Sequence, residues 1–297
     1  MIHVLQNLKF SFIFFLMSIT AFACDVCSCG SANNSVFTNA IHGNFIGMSY
    51  NHMFFQYKEG VFDDSPVADD RINTVTVTGQ YQINDRILIN AILPYRFNYR
   101  YTSEEDVSVS GLGDVSIYGL ISVLNKASKH VLKLGLGLKL PTGKFDLQSS
   151  QDNKTSSTQL GTGSLDVALP VQYAFGFGDF SFNLSAVYFV KNTNSESFKY
   201  GNQTQLNTSI AYAIPINKGF IMSPYVGVNY DQFKASERFE IIDHRTSGYM
   251  TNTNFGIQME TERVIMGLNS QLSLDQNLIE HEVLFKYGLG VFGYWRF

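Results

Sequence analysis

The sequence predicts an all-β fold, a transmembrane antiparallel up-and-down β-barrel of about twelve strands, preceded by a cleaved signal peptide. Three observations predict the barrel. Apolar residues recur with a period of two, long polar connections alternate with short ones, and the chain combines only 15% charged residues with 25 Phe and 16 Tyr. A net charge of −4 without a basic patch argues against a nucleic-acid partner. Beyond the first two dozen residues no apolar run is long enough for a transmembrane helix.

The alternation of apolar and polar residues predicts the length of the strands. In the clearest segment, leucines occupy every second position from Leu132 to Leu140, and the positions between them are Lys133, Gly135, Gly137 and Lys139. Segments 86–101 and 282–291 alternate in the same way. Each apolar face has about five residues, so a tilted strand of about ten residues spans roughly 25 Å, the height of an outer-membrane apolar band. A soluble β-sandwich also alternates, but it gives no reason for connections that alternate in length.

The connections predict which end of the barrel faces outward. Short turns are predicted near 84–85, 125–129, 177–179, 215–219 and 260–263. Long polar stretches are predicted at 58–70, 100–110, 143–161, 192–201, 234–247 and 274–281. This alternation is typical of barrels in the outer membrane of a Gram-negative bacterium, where long loops are extracellular and turns are periplasmic. Both termini are then expected in the periplasm.

The N-terminus predicts export. Lys9 precedes an apolar stretch from Phe10 to Ile19, and Ala21 and Ala23 are small residues suited to signal-peptidase cleavage. Residues 1–23 are therefore predicted to be a signal peptide, residues 24–43 a periplasmic segment that forms a tail or a plug, and residues 44–297 the barrel.

The polar face of the strands predicts the solute pathway. If the apolar faces contact outer-membrane lipid, the charged residues between them face the lumen, since charges in a membrane line water or meet a partner. The predicted lumen and solute-pathway residues are Arg96, Arg100, Asp114, Lys133, Lys139 and Asp166. Such a lumen indicates a channel or transporter for a small solute. The alternative is a structural barrel whose interior is filled by compensating pairs.

Two short motifs carry a family resemblance. Gly111-Leu112-Gly113-Asp114 opens one predicted strand, and Leu140-Pro141-Thr142-Gly143 ends the next. With the strand layout, they resemble the outer-membrane transporter family named for the meta-pathway of phenol degradation, which is similar in broad terms to the long-chain fatty-acid porins. The resemblance implies uptake of small hydrophobic or aromatic compounds. In the barrel, Asp114 is expected to project inward beside Lys133 or Lys139.

The three cysteines lie together at the start of the predicted mature chain. Cys24, Cys27 and Cys29 fall within six residues, and the sequence has no other cysteine. Three interpretations stay open: a soft-metal site for Cu(I) or zinc, lipidation of Cys24, and a local disulfide with one thiol left over. No other cofactor is predicted.

Enzymatic activity is not expected, although one alternative is an outer-membrane hydrolase with its active site in the extracellular loops. The pairs Asp69-Asp70 and Asp243-His244, both in predicted loops, resemble the groups that activate water in omptin proteases. Neither pair qualifies as a catalytic prediction, because acidic loop residues are common.

At the other end of the chain, Trp295 and the terminal Phe297 resemble the signal read by the barrel-assembly machinery.

Overall fold

The computed structural model describes residues 43–58, 65–103, 106–124, 129–146 and 159–297. The predicted signal peptide and the cysteines lie outside these residues, so the domain boundaries at 23 and 43 stay predictions. In the described part of the chain, no helix has both the length and the apolar character required to cross a membrane.

Seventeen strands and one short 3-10 helix (His244–Thr246) make up the regular structure of the described residues. In chain order they are β1 (Phe45–Lys58), β2 (Val67–Gln82), β3 (Ile87–Tyr101), β4 (Val107–Leu112), β5 (Ser116–Ser122), β6 (His130–Lys139), β7 (Asp166–Phe177), β8 (Phe180–Val190), β9 (Phe198–Lys199), β10 (Gln203–Tyr212), β11 (Ile214–Asn217), β12 (Phe220–Phe233), β13 (Ser236–Arg238), β14 (Ile241–Asp243), β15 (Gly248–Glu260), β16 (Val264–Leu278) and β17 (Val283–Arg296).

The strands close into an antiparallel barrel with twelve positions around its wall. β4 and β5 together fill one position beside β3, and β10 and β11 together fill another beside β12. Pairing of β1 with β17, from Phe45↔Arg296 to Tyr57↔Val283, joins the first and last strands of the wall. This closure pairs strand edges that would otherwise expose unpaired backbone groups to lipid. The predicted fold class is confirmed.

The side-chain alternation also follows the prediction. On β3, Ile87, Ile89 and Leu93 point outward and are exposed. The alternate residues Leu88, Asn90 and Ile92 are buried in the barrel. The same outward apolar face continues around the wall, with Leu134, Leu136 and Leu138 on β6. These exposed apolar side chains form the surface that contacts lipid.

Most connections at the two ends of the barrel differ in length as predicted. The predicted long loop at 100–110 is shorter, because β3 ends at Tyr101 and β4 begins at Val107. The turns at 83–86, 178–179 and 261–263 are short. The start of β1 and the C-terminal residue lie at the same end of the barrel as these turns, and the Phe297 backbone N–H donates there to the Asn44 carbonyl. At the opposite end, β9, β13 and β14 form a small separate sheet. The predicted long loop at 274–281 is wrong, because β16 continues to Leu278 and only residues 279–282 connect it to β17. Ile279, Glu280 and His281 all have positive φ in this tight turn.

A β-bulge in β17 changes the predicted faces near the loop end. The register of β1 and β17 shifts so that Phe54 pairs with Tyr287 but Phe55 pairs with Phe285, leaving Lys286 as the extra residue. Phe285 and Val283 therefore turn inward and are buried, whereas Lys286 is exposed. Strict alternation over the predicted segment 282–291 would place Lys286 in the lumen, and the bulge places it on the outer face instead.

Candidate functional site

The interior of the barrel is the candidate site, and all six predicted lumen residues are buried there. Arg96 and Arg100 come from β3, Lys133 and Lys139 from β6, and Asp166 from the start of β7. Asp114 lies between β4 and β5 and is buried as well. The structure does not gather them into one cluster: Asp114, Lys139 and Asp166 lie together, whereas Arg100 and Lys133 have separate surroundings.

Asp114 is the centre of a polar joint between the wall and the connection that follows β6. Its carboxylate lies 2.9 Å from the ammonium of Lys139. It also accepts hydrogen bonds from the backbone N–H of Gly143 at 3.0 Å, the backbone N–H of Thr162 at 2.8 Å and the Thr162 hydroxyl at 2.9 Å. Of the two lysines proposed from the sequence, Lys139 is the partner because Ser116 at the start of β5 pairs with Lys139.

The joint extends through a second aspartate and a second lysine. Asp166 Oδ2 lies 3.8 Å from the ammonium of Lys139 and 3.4 Å from that of Lys191. The Ser164 hydroxyl donates to Asp166 Oδ1 at 2.7 Å. Two carboxylates therefore face two ammonium groups, so the network formed by Asp114, Lys139, Asp166 and Lys191 is electrically balanced. Lys191 was missed in the sequence, although the inward period of Val187 and Phe189 on β8 continues to it.

The two motifs that carried the family resemblance meet at this joint. The Thr142 hydroxyl donates to the Gly113 carbonyl at 2.8 Å and accepts from the Val115 N–H at 2.9 Å. Gly161 is required by close approach, because a Cβ atom there would lie 2.2 Å from Asp114 Oδ1. The motifs therefore fix the connection to the wall through hydrogen bonds.

Arg100 forms a second, separate ion pair near the loop end. Its Nε and Nη2 atoms donate to the two carboxylate oxygens of Asp70 at 2.7 and 2.5 Å, and both side chains are buried. The guanidinium also lies 4.5 Å from the centre of the Tyr57 ring. A bidentate pair of this kind neutralises Arg100 and fixes its orientation.

The acidic pairs considered for a hydrolase are engaged in other contacts. Asp70 is paired with Arg100, and Asp69 accepts a hydrogen bond from Gln56 at 3.0 Å. The hydrogen bonds that Arg245 donates hold the pKa of Asp243 below its ordinary value, which makes this carboxylate a weaker base. Among the described residues, no group of three or more His, Cys, Asp or Glu side chains is arranged to hold a metal ion.

Neutral polar side chains line much of the remaining interior. The hydroxyls of Thr74, Thr76 and Thr78 on β2 are buried and make no hydrogen bond to the residues that the structure describes. The same holds for the side-chain amide of Asn252 and for Gln271 Oε1. Buried polar groups in proteins are nearly always hydrogen-bonded, so these groups require a partner beyond the described residues, such as water or a solute.

Toward the loop end the interior becomes apolar. Buried apolar side chains from β1, β2, β12, β15, β16 and β17 pack against one another there; we call this cluster the apolar collar. Its members are Met53, Phe55, Ile72, Phe233, Met250, Leu278, Ile279, Val283 and Phe285. The bulge at Lys286 contributes to it, because the bulge turns Val283 and Phe285 inward.

The remaining predicted site residues lie outside the lumen or outside the described part of the chain. Trp295 and Phe297 are 49% and 69% exposed, at the end of β17 that carries the short turns. Their role in assembly stays a prediction. Cys24, Cys27 and Cys29 are not among the described residues, so the metal, lipid and disulfide interpretations stay predictions too.

The fold and its exterior define the class: a membrane-spanning β-barrel of the outer-membrane kind. Among solved structures, the COG4313 outer membrane channel from Pseudomonas putida F1 is similar over 86% of this chain and 96% of its own, with a TM-score of 0.65 and 18% identity. The β domain of the Bordetella autotransporter BrkA is similar over 86% of this chain and all of its own, with a TM-score of 0.55 and 9% identity. No protein-family model and no curated protein matches the sequence. At these identities the likeness concerns the fold.

Proposed function

We propose that the protein is an outer-membrane channel through which a small solute diffuses. One observation carries the proposal: the interior has buried hydroxyl and amide groups, among them Thr74, Thr76, Thr78 and Asn252, that have no hydrogen-bond partner among the described residues. In a filled structural barrel these groups would be paired with one another, because each unpaired buried group costs about 1–3 kcal/mol. A hydrated path satisfies them without that cost.

The charges inside the barrel fit a channel for a small solute better than they fit a selective ion filter. Arg100 is neutralised by Asp70, and the four charges around Asp114 balance. One of the similar structures is an outer membrane channel, which supports the proposal. The proposed location is the outer membrane, with the long loops outside the cell and both termini in the periplasm.

The apolar collar indicates the polarity of the proposed solute. A solute that crosses Met53, Phe55 and Phe285 loses contact with water there, and the cost is smallest for an apolar body. We therefore propose that the solute is a small hydrophobic or aromatic compound, in agreement with the family resemblance.

The experiment measures the single-channel conductance of the refolded protein in a planar lipid bilayer. It compares the mature protein with a protein that lacks residues 24–43. We expect discrete single-channel steps from the full mature chain. A larger step after removal of residues 24–43 is expected if that segment enters the lumen, and an equal step if it is a tail. Absence of steps from both proteins, together with no uptake of aromatic solutes into protein-containing liposomes, would contradict the channel and favour a filled barrel.

A further inference from the structure

Lys133 is a buried cation without a counter-charge in the described residues. It is 6% exposed on the inner face of β6, near the end that carries the short turns. Its ammonium makes no ion pair or hydrogen bond with the part of the chain that the structure describes. The other lysines on this wall differ, because Lys139 and Lys191 both lie within 4 Å of Asp166.

Two buried hydrogen-bond donors lie beside Lys133. Gln172 on β7 pairs directly with Lys133, and Ser185 on β8 pairs with Gln172, so all three side chains are on the same face. Gln172 is 5% and Ser185 is 7% exposed, and neither side chain has a hydrogen-bond partner among the described residues. An ammonium, an amide N–H and a hydroxyl on adjacent strands present donors that match the oxygens of a carboxylate.

A row of polar side chains continues from this site around the barrel. Ser185 pairs with Asn207, Asn207 with Asn229, Asn229 with Asn252, and Asn252 with Ser273. We call the row from Lys133 through Gln172 and Ser185 to Ser273 the polar row. Because barrel strands are tilted, a row that crosses them at right angles also climbs along the barrel axis. It therefore runs from the short-turn end at Lys133 to the loop end at Ser273.

We propose that Lys133, with Gln172 and Ser185, binds the carboxylate of a small solute as it passes through the barrel. This inference rests on the proposed channel function and specifies its solute further. A buried ammonium without a counter-ion is costly, and an anionic solute removes that cost while it is bound. The apolar collar favours a carboxylate with an apolar body, and the polar row supplies hydrogen-bonding groups between the two ends.

The test compares the permeability of benzoate with that of sodium in planar bilayers. We expect Lys133→Met to lower the benzoate-to-sodium permeability ratio by on the order of tenfold, because one attractive charge is removed from a poorly solvated site. Lys133→Arg should keep the ratio close to that of the unmodified protein. Lys218→Met is the matched control, because Lys218 is an exposed lysine in a turn at the same end of the barrel.

The outcomes separate the inference from the function on which it rests. If Lys133→Met conducts with an unchanged benzoate ratio, the carboxylate site is wrong while the channel stands. An equal fall for chloride and benzoate would also overturn it, because the site would then attract any anion. If neither the unmodified protein nor the protein without residues 24–43 conducts, and neither takes up aromatic solutes into liposomes, both proposals fail. Folding of each variant is checked by heat-dependent gel mobility, and Lys133→Gln replaces Lys133→Met if the latter does not fold.

Discussion

Replacement of Asp114 by alanine is expected to lower the free energy of unfolding of the barrel by about 3–5 kcal/mol, because it leaves buried charge without its partner. The Lys139 ammonium would lose the carboxylate that lies 2.9 Å from it, while Asp166 stays at 3.8 Å and the Thr162 hydroxyl at 3.4 Å. Gly143 and Thr162 would also lose the acceptor of their backbone N–H groups. The measurement is urea unfolding in lipid vesicles, followed by the fluorescence of Trp295, the only tryptophan.

A matched control lies in the connection that Asp114 holds. Asp146 forms an ion pair with Lys144 at 3.9 Å, but the Lys144 side chain is 75% exposed. Exposed ion pairs contribute about 0–1 kcal/mol to stability, so the unfolding midpoint of Asp146→Ala in urea should be close to that of the unmodified protein. Equal unfolding midpoints for Asp114→Ala and Asp146→Ala would contradict the assignment of Asp114 as the joint between wall and connection.

Loss of the Arg100–Asp70 ion pair is also expected to lower the free energy of unfolding of the barrel strongly. Arg100→Met should lower the free energy of unfolding by about 3–5 kcal/mol, because the Asp70 carboxylate stays buried after both of its charged hydrogen bonds are removed. Its effect on ion selectivity should be small, since Asp70 already neutralises Arg100 in the unmodified protein. The same urea unfolding and bilayer measurements check both parts.

The neighbouring Arg71 provides the comparison. It is exposed on the outer face of β2, with its guanidinium 4.9 Å from the centre of the Tyr101 ring. Arg71→Met should cost no more than about 1 kcal/mol. A double variant, Arg100→Met with Asp70→Ala, should be less destabilised than the sum of the single changes, because it leaves no charge behind. Additive effects would show that the pair is not coupled.

The features predicted from the sequence are those set by local pattern. Period-two segments such as Leu132 to Leu140 predict strands and their lipid face, and the alternation of connections predicts twelve strands. The short turn around 178–179 was found in the same way. These features depend on neighbouring residues only, and the membrane enforces them over the full length of each strand.

The missed features depend on contacts distant in sequence. The bulge at Lys286 is decided by pairing with β1, more than two hundred residues earlier in the chain, and it reversed the faces of Phe285 and Lys286. Thr162 and Lys191 complete the network around Asp114 and Asp166 only because a long connection returns to the wall. Similarly, only the register of β5 with β6 distinguishes Lys139 from Lys133 as the partner of Asp114.

Cysteine modification in the conducting barrel tests whether the inward face of the strands lines an aqueous path. In a protein with Cys24, Cys27 and Cys29 replaced by serine, Ser209→Cys places a thiol on the inner face of β10, and Ile210→Cys places one on the outer face, where Ile210 is 45% exposed. A water-soluble, charged methanethiosulfonate is then added during bilayer recording. We expect an irreversible fall in conductance for Ser209→Cys and no change for Ile210→Cys. Unchanged conductance in both variants, with the Ser209→Cys thiol shown by mass spectrometry to be unmodified, would contradict the aqueous path.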